Sequence, residues 1–134
     1  MIVLDEHLAG LGVETAIRQW YRGRVCGITE LRPGSVIKDE AIPHLLRAAR
    51  QPTFLTLNWR HFWQRTAAHR DFCVVCFVLT TEQAREISPC LRRLLRLSEF
   101  KTRADRMGRV ARIGGERVAY YQGSSDQTYL LPLA

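Results

Sequence analysis

The eight residues 72–79, FCVVCFVL, are apolar without interruption. A strand turns alternate side chains to opposite faces. A run with no polar position is therefore a strand buried on both faces, the centre of a sheet covered by helices on each side. The run is far shorter than the roughly 20 residues of a membrane span, and no other stretch approaches that length. This one segment requires strands to pair with it and helices to cover it.

The rest of the chain supplies them in alternation. Residues 2–4 form a short β-branched run that stops on Asp5, and Leu8, Leu11, Val13, Ile17, Trp20 and Tyr21 give a helical stripe over 8–22 that Gly23 ends. Residues 25–29 read as a second strand. A helix starts close to Asp39, with Pro43 in its first turn and Ile42, Leu45, Leu46 and Ala49 on one face. Residues 53–57 form a third strand ending on Asn58, and a short helix or loop from Trp59 runs to about residue 70. Thr80 caps a long helix to about residue 95 that Pro89 bends or restarts. Residues 109–113 and 117–121 make a hairpin about Gly114 and Gly115, with a last short strand at 129–131. The predicted fold is α/β: a mostly parallel sheet with helices on both faces, plus a C-terminal hairpin at about 108–134. At 134 residues the chain fits one domain.

The chain opens on Met-Ile-Val-Leu-Asp-Glu, with acids where a secretory signal has basic residues, so it reads as cytoplasmic. Its four cysteines then read as reduced thiols. Cys73 and Cys76 have CxxC spacing, but inside a strand they point to opposite faces, and no second pair completes a zinc site. They read as small core hydrophobes. The net charge is +7, and nine basic against three acidic side chains lie between residues 92 and 117. Arg92, Arg93 and Arg96 in that segment suit a phosphate-binding surface, and equally a solvated helix face or a dock for an acidic protein.

In folds of this kind ligands gather at the carboxyl ends of the strands. Asp5 and Glu6 follow strand one, Asp39 and Glu40 open the second helix, and Asn58 follows strand three. Two acid pairs entering one crevice form an oxygen-rich site for Mg²⁺ or Mn²⁺. The same acids also suit the first turns of helices. Asp5 is the stronger candidate, since the strand it ends does not need an acid to fold. Dinucleotide, Walker A and nucleophile-elbow motifs are missing. Among the aromatics beside Asn58, Phe62 and Trp63 read as core. Trp59 and Arg60 remain candidates for stacking a base and pairing a phosphate.

Three blocks in order carry a resemblance. The opening IVLDEHL resembles the LLDENL opening of PIN-like proteins of the DUF5615 family, related to VapC-type toxins. Residues 38–42, KDEAI, and 54–58, FLTLN followed by His61-Phe62, resemble that family's SDEEI and LLTLDxDF. The resemblance covers about residues 1–79. It implies a PIN-like three-layer sandwich that binds Mg²⁺ or Mn²⁺ and cleaves single-stranded RNA, often as a toxin beside a small antitoxin protein, and often as a homodimer. Carried over by position, Asp5 is the principal metal ligand, Asp39 the second, and Glu6 and Glu40 assist. The family's two remaining acids fall on Asn58 and His61, which would position water or substrate. The alternative is a degenerate PIN-like domain that binds RNA or protein without cleaving.

Overall fold

The structure is a computed structural model and describes residues 1–133. Strands β1 (Ile2–Leu4), β2 (Val25–Gly27), β3 (Thr53–Thr56), β4 (Cys73–Phe77), β5 (Arg109–Gly114), β6 (Arg117–Gln122) and β7 (Tyr129–Pro132) form one sheet in the order β2-β1-β3-β4-β5-β6-β7. Pairing is parallel from β2 through β5 and antiparallel from β5 through β7. Because β5 is hydrogen-bonded to β4, the expected C-terminal hairpin continues the main sheet, and β7 adds the last strand to it.

Helices α1 (Val13–Arg18) and α4 (Ile87–Leu94) cover one face, α2 (Ile42–Ala48) and α3 (Trp59–Phe62) the other, and α5 (Arg103–Arg106) precedes β5. The apolar run of β4 fixes this layering. Cys73, Val75 and Phe77 pack with Ile17, Ile87 and Leu91 on one side, while Val74 and Cys76 pack with Ile42, Leu46 and Phe62 on the other. The two cysteines thus lie on opposite faces, and burial pushes each thiol up to about 12.

Two helices are shorter than the apolar stripes predict. The stripe from Leu8 is interrupted because Gly10 and Gly12 adopt positive φ of 77° and 80°, so α1 begins only at Val13. The helix predicted from Thr80 winds first as a 3₁₀ segment, Thr81–Glu86, and becomes α-helical at Ile87, which places Pro89 in a first turn where its missing N–H costs little. A similar 3₁₀ turn, Asp39–Ala41, leads into α2. Between β5 and β6 the loop is two residues long, and Gly115 at φ 60° supplies the left-handed conformation that such a turn requires first.

The chain leaves β1 for β2 on one side and returns to β3 on the other. This reversal opens a crevice at the carboxyl ends of β1 and β3, the position where open α/β sheets receive ligands. Among the described residues, no helix is long and apolar enough to cross a membrane.

Candidate functional site at the carboxyl edge

The reversal brings Asp5 and the β3 tip together. The Asp5 backbone N–H continues the ladder to the Leu55 carbonyl at 2.9 Å. Its side chain turns to the α2/α3 face and is 5% exposed. Asp5 Oδ1 accepts the Glu6 N–H at 2.8 Å, capping the 3₁₀ turn Glu6–Leu8. Oδ2 accepts the hydroxyl of buried Thr56 at 2.6 Å and lies 3.4 Å from His7 Nδ1. The Leu57 N–H donates to His7 Nε2 at 3.3 Å, so the imidazole joins the tips of the two strands. Burial raises the Asp5 carboxyl above its ordinary range. The bond from Thr56, the His7 ring and the Glu6 N–H oppose that shift, and the charge of Asp39 adds to it.

A second group continues from the first. Thr56 Oγ1 also accepts the Asn58 N–H at 2.9 Å, Asn58 Nδ2 donates to Asp39 Oδ2 at 3.1 Å, and His61 Nδ1 stands 4.0 Å from that same oxygen. Asp39 therefore faces Asn58, and does not cap its own helical turn. Asp5, Thr56, Asn58, Asp39 and His61 form one chain of polar contacts. Two clefts lie along it. One of about 300 Å³ is lined by Asp5, Glu6, Glu14 and Glu30, and one of about 480 Å³ by Asp39, Glu40, His61, Arg47 and Arg65. Glu6 and Glu40 are exposed, and Glu6 lies on the Asp5 side alone.

Among the described residues, no three His, Cys, Asp or Glu side chains converge as a metal site. The carboxylates of Asp5 and Asp39 line separate clefts and are joined through Thr56 and Asn58, and the charge of Asp39 is felt at Asp5. Hard oxygens in that number fit Mg²⁺ or Mn²⁺, which keep several waters and take one or two carboxylates. The Asn58 amide contributes no charge.

The aromatics divide as the sequence suggests. Phe62 and Trp63 are buried, with Phe62 edge-on to Phe54 at 5.4 Å, while Trp59 is half-buried beside exposed Arg60, whose guanidinium lies 5.1 Å from the indole centroid. The basic segment 92–117 does not form one surface. Arg93 pairs with Glu116 and the Leu133 carbonyl, Arg92 lies over Trp20, Arg96 is exposed, and Arg106 is buried. None of Arg92, Arg93 and Arg96 lines either cleft of the acid site.

Sequence reasoning missed three members of this edge: Thr56, His7 and Arg112. The register places Thr56, Cys76 and Arg112 side by side across β3, β4 and β5. Arg112 lies 5.6 Å from the Trp59 ring and 5.0 Å from the Trp63 ring, so the row that begins with a buried acid ends with a cation held on two indoles. Period-two alternation in β5 set Arg112 on the face of buried Val110, the one signal that could have singled it out. Comparison with protein-family models, curated proteins and solved structures returns no match for this chain.

Proposed function

We propose that the chain is a PIN-like, metal-dependent endoribonuclease acting on single-stranded RNA at the crevice between β1 and β3. The observation that carries this reading is the buried Asp5 carboxylate, linked to Asp39 through Thr56 and Asn58. Asp5 is buried where no acid is needed to end a strand, its carboxyl is raised by burial and by the second acid, and a dication between the two would relieve both effects. Bound there, Mg²⁺ or Mn²⁺ would supply an activated water and neutralise charge on the phosphodiester. Thr56 and His7 fix the Asp5 carboxylate, Asn58 holds Asp39 through its amide, and His61, 4.0 Å from Asp39, would donate a hydrogen bond to a phosphate oxygen. Arg112 and Arg60 about Trp59 offer cations to neighbouring phosphates. A small antitoxin protein and a second copy of the chain are the protein partners that accompany this reading.

A second reading, an RNA-binding PIN-like domain without cleavage, is favoured by one specific observation. Asn58 takes up the Asp39 oxygen that a metal would use, and no third acid joins the pair. One experiment separates the two. Single-stranded RNA is incubated with Mg²⁺ or Mn²⁺ and either wild type or Asp5→Asn, following both cleavage and retention of RNA. Cleavage lost in Asp5→Asn supports the nuclease, retention without cleavage in both supports the binding module, and equal cleavage by both proteins removes Asp5 from the chemistry.

A further inference from the structure

At the amino edge of the sheet, opposite the acids, the structure has a cavity of about 670 Å³. Arg22, Arg24, Arg50, Lys101, Arg103 and Arg106 line it, and no carboxylate does. Among the described residues, none of these six cations is in an ion pair, whereas Arg18 and Arg93 elsewhere pair with Glu14 and Glu116. Gathering like charges in one concavity opposes folding unless an anion is drawn in, and the same concavity focuses the field that draws it.

Arg106 makes the cavity more than a basic surface. Its side chain is only 2% exposed. Nε donates to Thr53 Oγ1 at 2.9 Å, and Nη1 to the Phe100 and Lys101 carbonyls at 3.0 and 3.3 Å. Its Nη2 has no hydrogen-bond partner among the described residues, and Arg106 is one of the residues that line the cavity. A buried guanidinium is costly unless its donors are used. Here three bonds lock the fork in place and leave the two N–H groups of Nη2 for a ligand, the preorganised geometry suited to a phosphate.

Part of the lining is aromatic. Trp20 and Tyr21 line the cavity, and the Trp20 indole N–H is tied to Ser88 Oγ at 2.8 Å, which fixes the ring. Cations beside fixed aromatic rings recognise a phosphate ester next to a base, and the volume lies within the range of pockets that enclose ligands of that size. We propose that this cavity binds nucleotide phosphates, either free or at the end of an RNA strand. Because β1 spans three residues, about 10 Å at the rise of a strand, it is a second site on the far edge of the sheet from Asp5.

The proposal does not rest on the nuclease reading, and its test is done in EDTA so that the acids hold no cation. ATP and 5′-phosphorylated tetrauridylate are titrated calorimetrically into wild type, Arg50→Glu, Arg103→Glu and Arg117→Glu. The first two substitutions reverse exposed cavity cations. The third makes the same charge change at exposed Arg117, in the hairpin outside the cavity. Arg50→Glu and Arg103→Glu are expected to weaken binding about tenfold each, the loss of one charge-assisted contact, with Arg117→Glu unchanged. Binding of ATP alone identifies a free nucleotide as the occupant, and binding of the oligonucleotide alone identifies an RNA end. The proposal is overturned if wild type binds neither, or if Arg117→Glu weakens binding as much as Arg103→Glu. Circular dichroism on each variant establishes that the comparison is between folded proteins.

Discussion

Replacing Thr56 by Val tests how the acid site is built into the fold. The substitution keeps the shape of a fully buried side chain and removes only its hydroxyl, which donates to Asp5 Oδ2 and accepts from the Asn58 N–H. The bond to the carboxylate contributes about 1.5–3 kcal/mol and the bond to the amide about 1 kcal/mol, and Asp5 Oδ2 is left with the His7 ring alone. A loss of about 3 kcal/mol at neutral pH follows. For an unfolding slope of about 2 kcal/mol per molar urea, the midpoint falls by about 1.5 M. The loss should depend on pH. Burial raises the folded Asp5 carboxyl above its unfolded value, so the stability it contributes is full below the unfolded value and is lost as pH rises through the raised one. Without the Thr56 hydroxyl, the strongest opposing interaction disappears and the folded value climbs further. The variant and wild type should therefore be closest in acid and separate as pH rises toward neutral, as read from urea titrations across that range. A destabilisation below about 0.5 kcal/mol at neutral pH, or one of equal size at every pH, would refute the idea that Thr56 stabilises an ionised Asp5.

Asn58→Asp sets a carboxylate where an amide now lies 3.1 Å from Asp39, so it should destabilise the apo protein, and Mn²⁺ should restore its melting temperature and bind about tenfold more tightly than to wild type. Unchanged Mn²⁺ affinity in a calorimetric titration would count against a metal between these residues. Phe54→Ala removes a ring that is 0% exposed and edge-on to Phe62, and should cost about 3–5 kcal/mol in urea unfolding. Native thiol labelling followed by peptide mass spectrometry should modify half-buried Cys90 first and spare Cys73 and Cys76, whose thiols are buried and pushed up to about 12. Early labelling of either would show that β4 opens locally.

Much of the architecture was legible from local pattern. The all-apolar run of β4 dictates a covered sheet, the alternation of strands and helices dictates parallel pairing, and CxxC inside a strand dictates opposite faces. These follow from side-chain periodicity alone, which a chain carries whatever its partners. Helix lengths did not follow, because the left-handed glycines at 10 and 12 and the 3₁₀ winding of Thr81–Glu86 are decided by how each segment reaches its neighbour.

At the site, the sequence nominated Asp5, Asp39 and Asn58 by their places after strands and before helices and His61 through the resemblance, and the fold connects them in one chain of contacts with Asn58 between the acids. It said nothing of Thr56, His7 or Arg112, whose roles depend on register between strands distant in the chain. It also read residues 92–117 as one basic block. Tertiary structure dispersed that block: Arg93 to an acid, Arg106 into the interior, Arg112 onto two indoles, and Lys101 and Arg103 into a cavity shared with arginines from residues 22–50. Charge in a sequence is a sum along the chain, whereas a binding site depends on which charges lie within a few ångströms of one another, and only the packing of the sheet determines that.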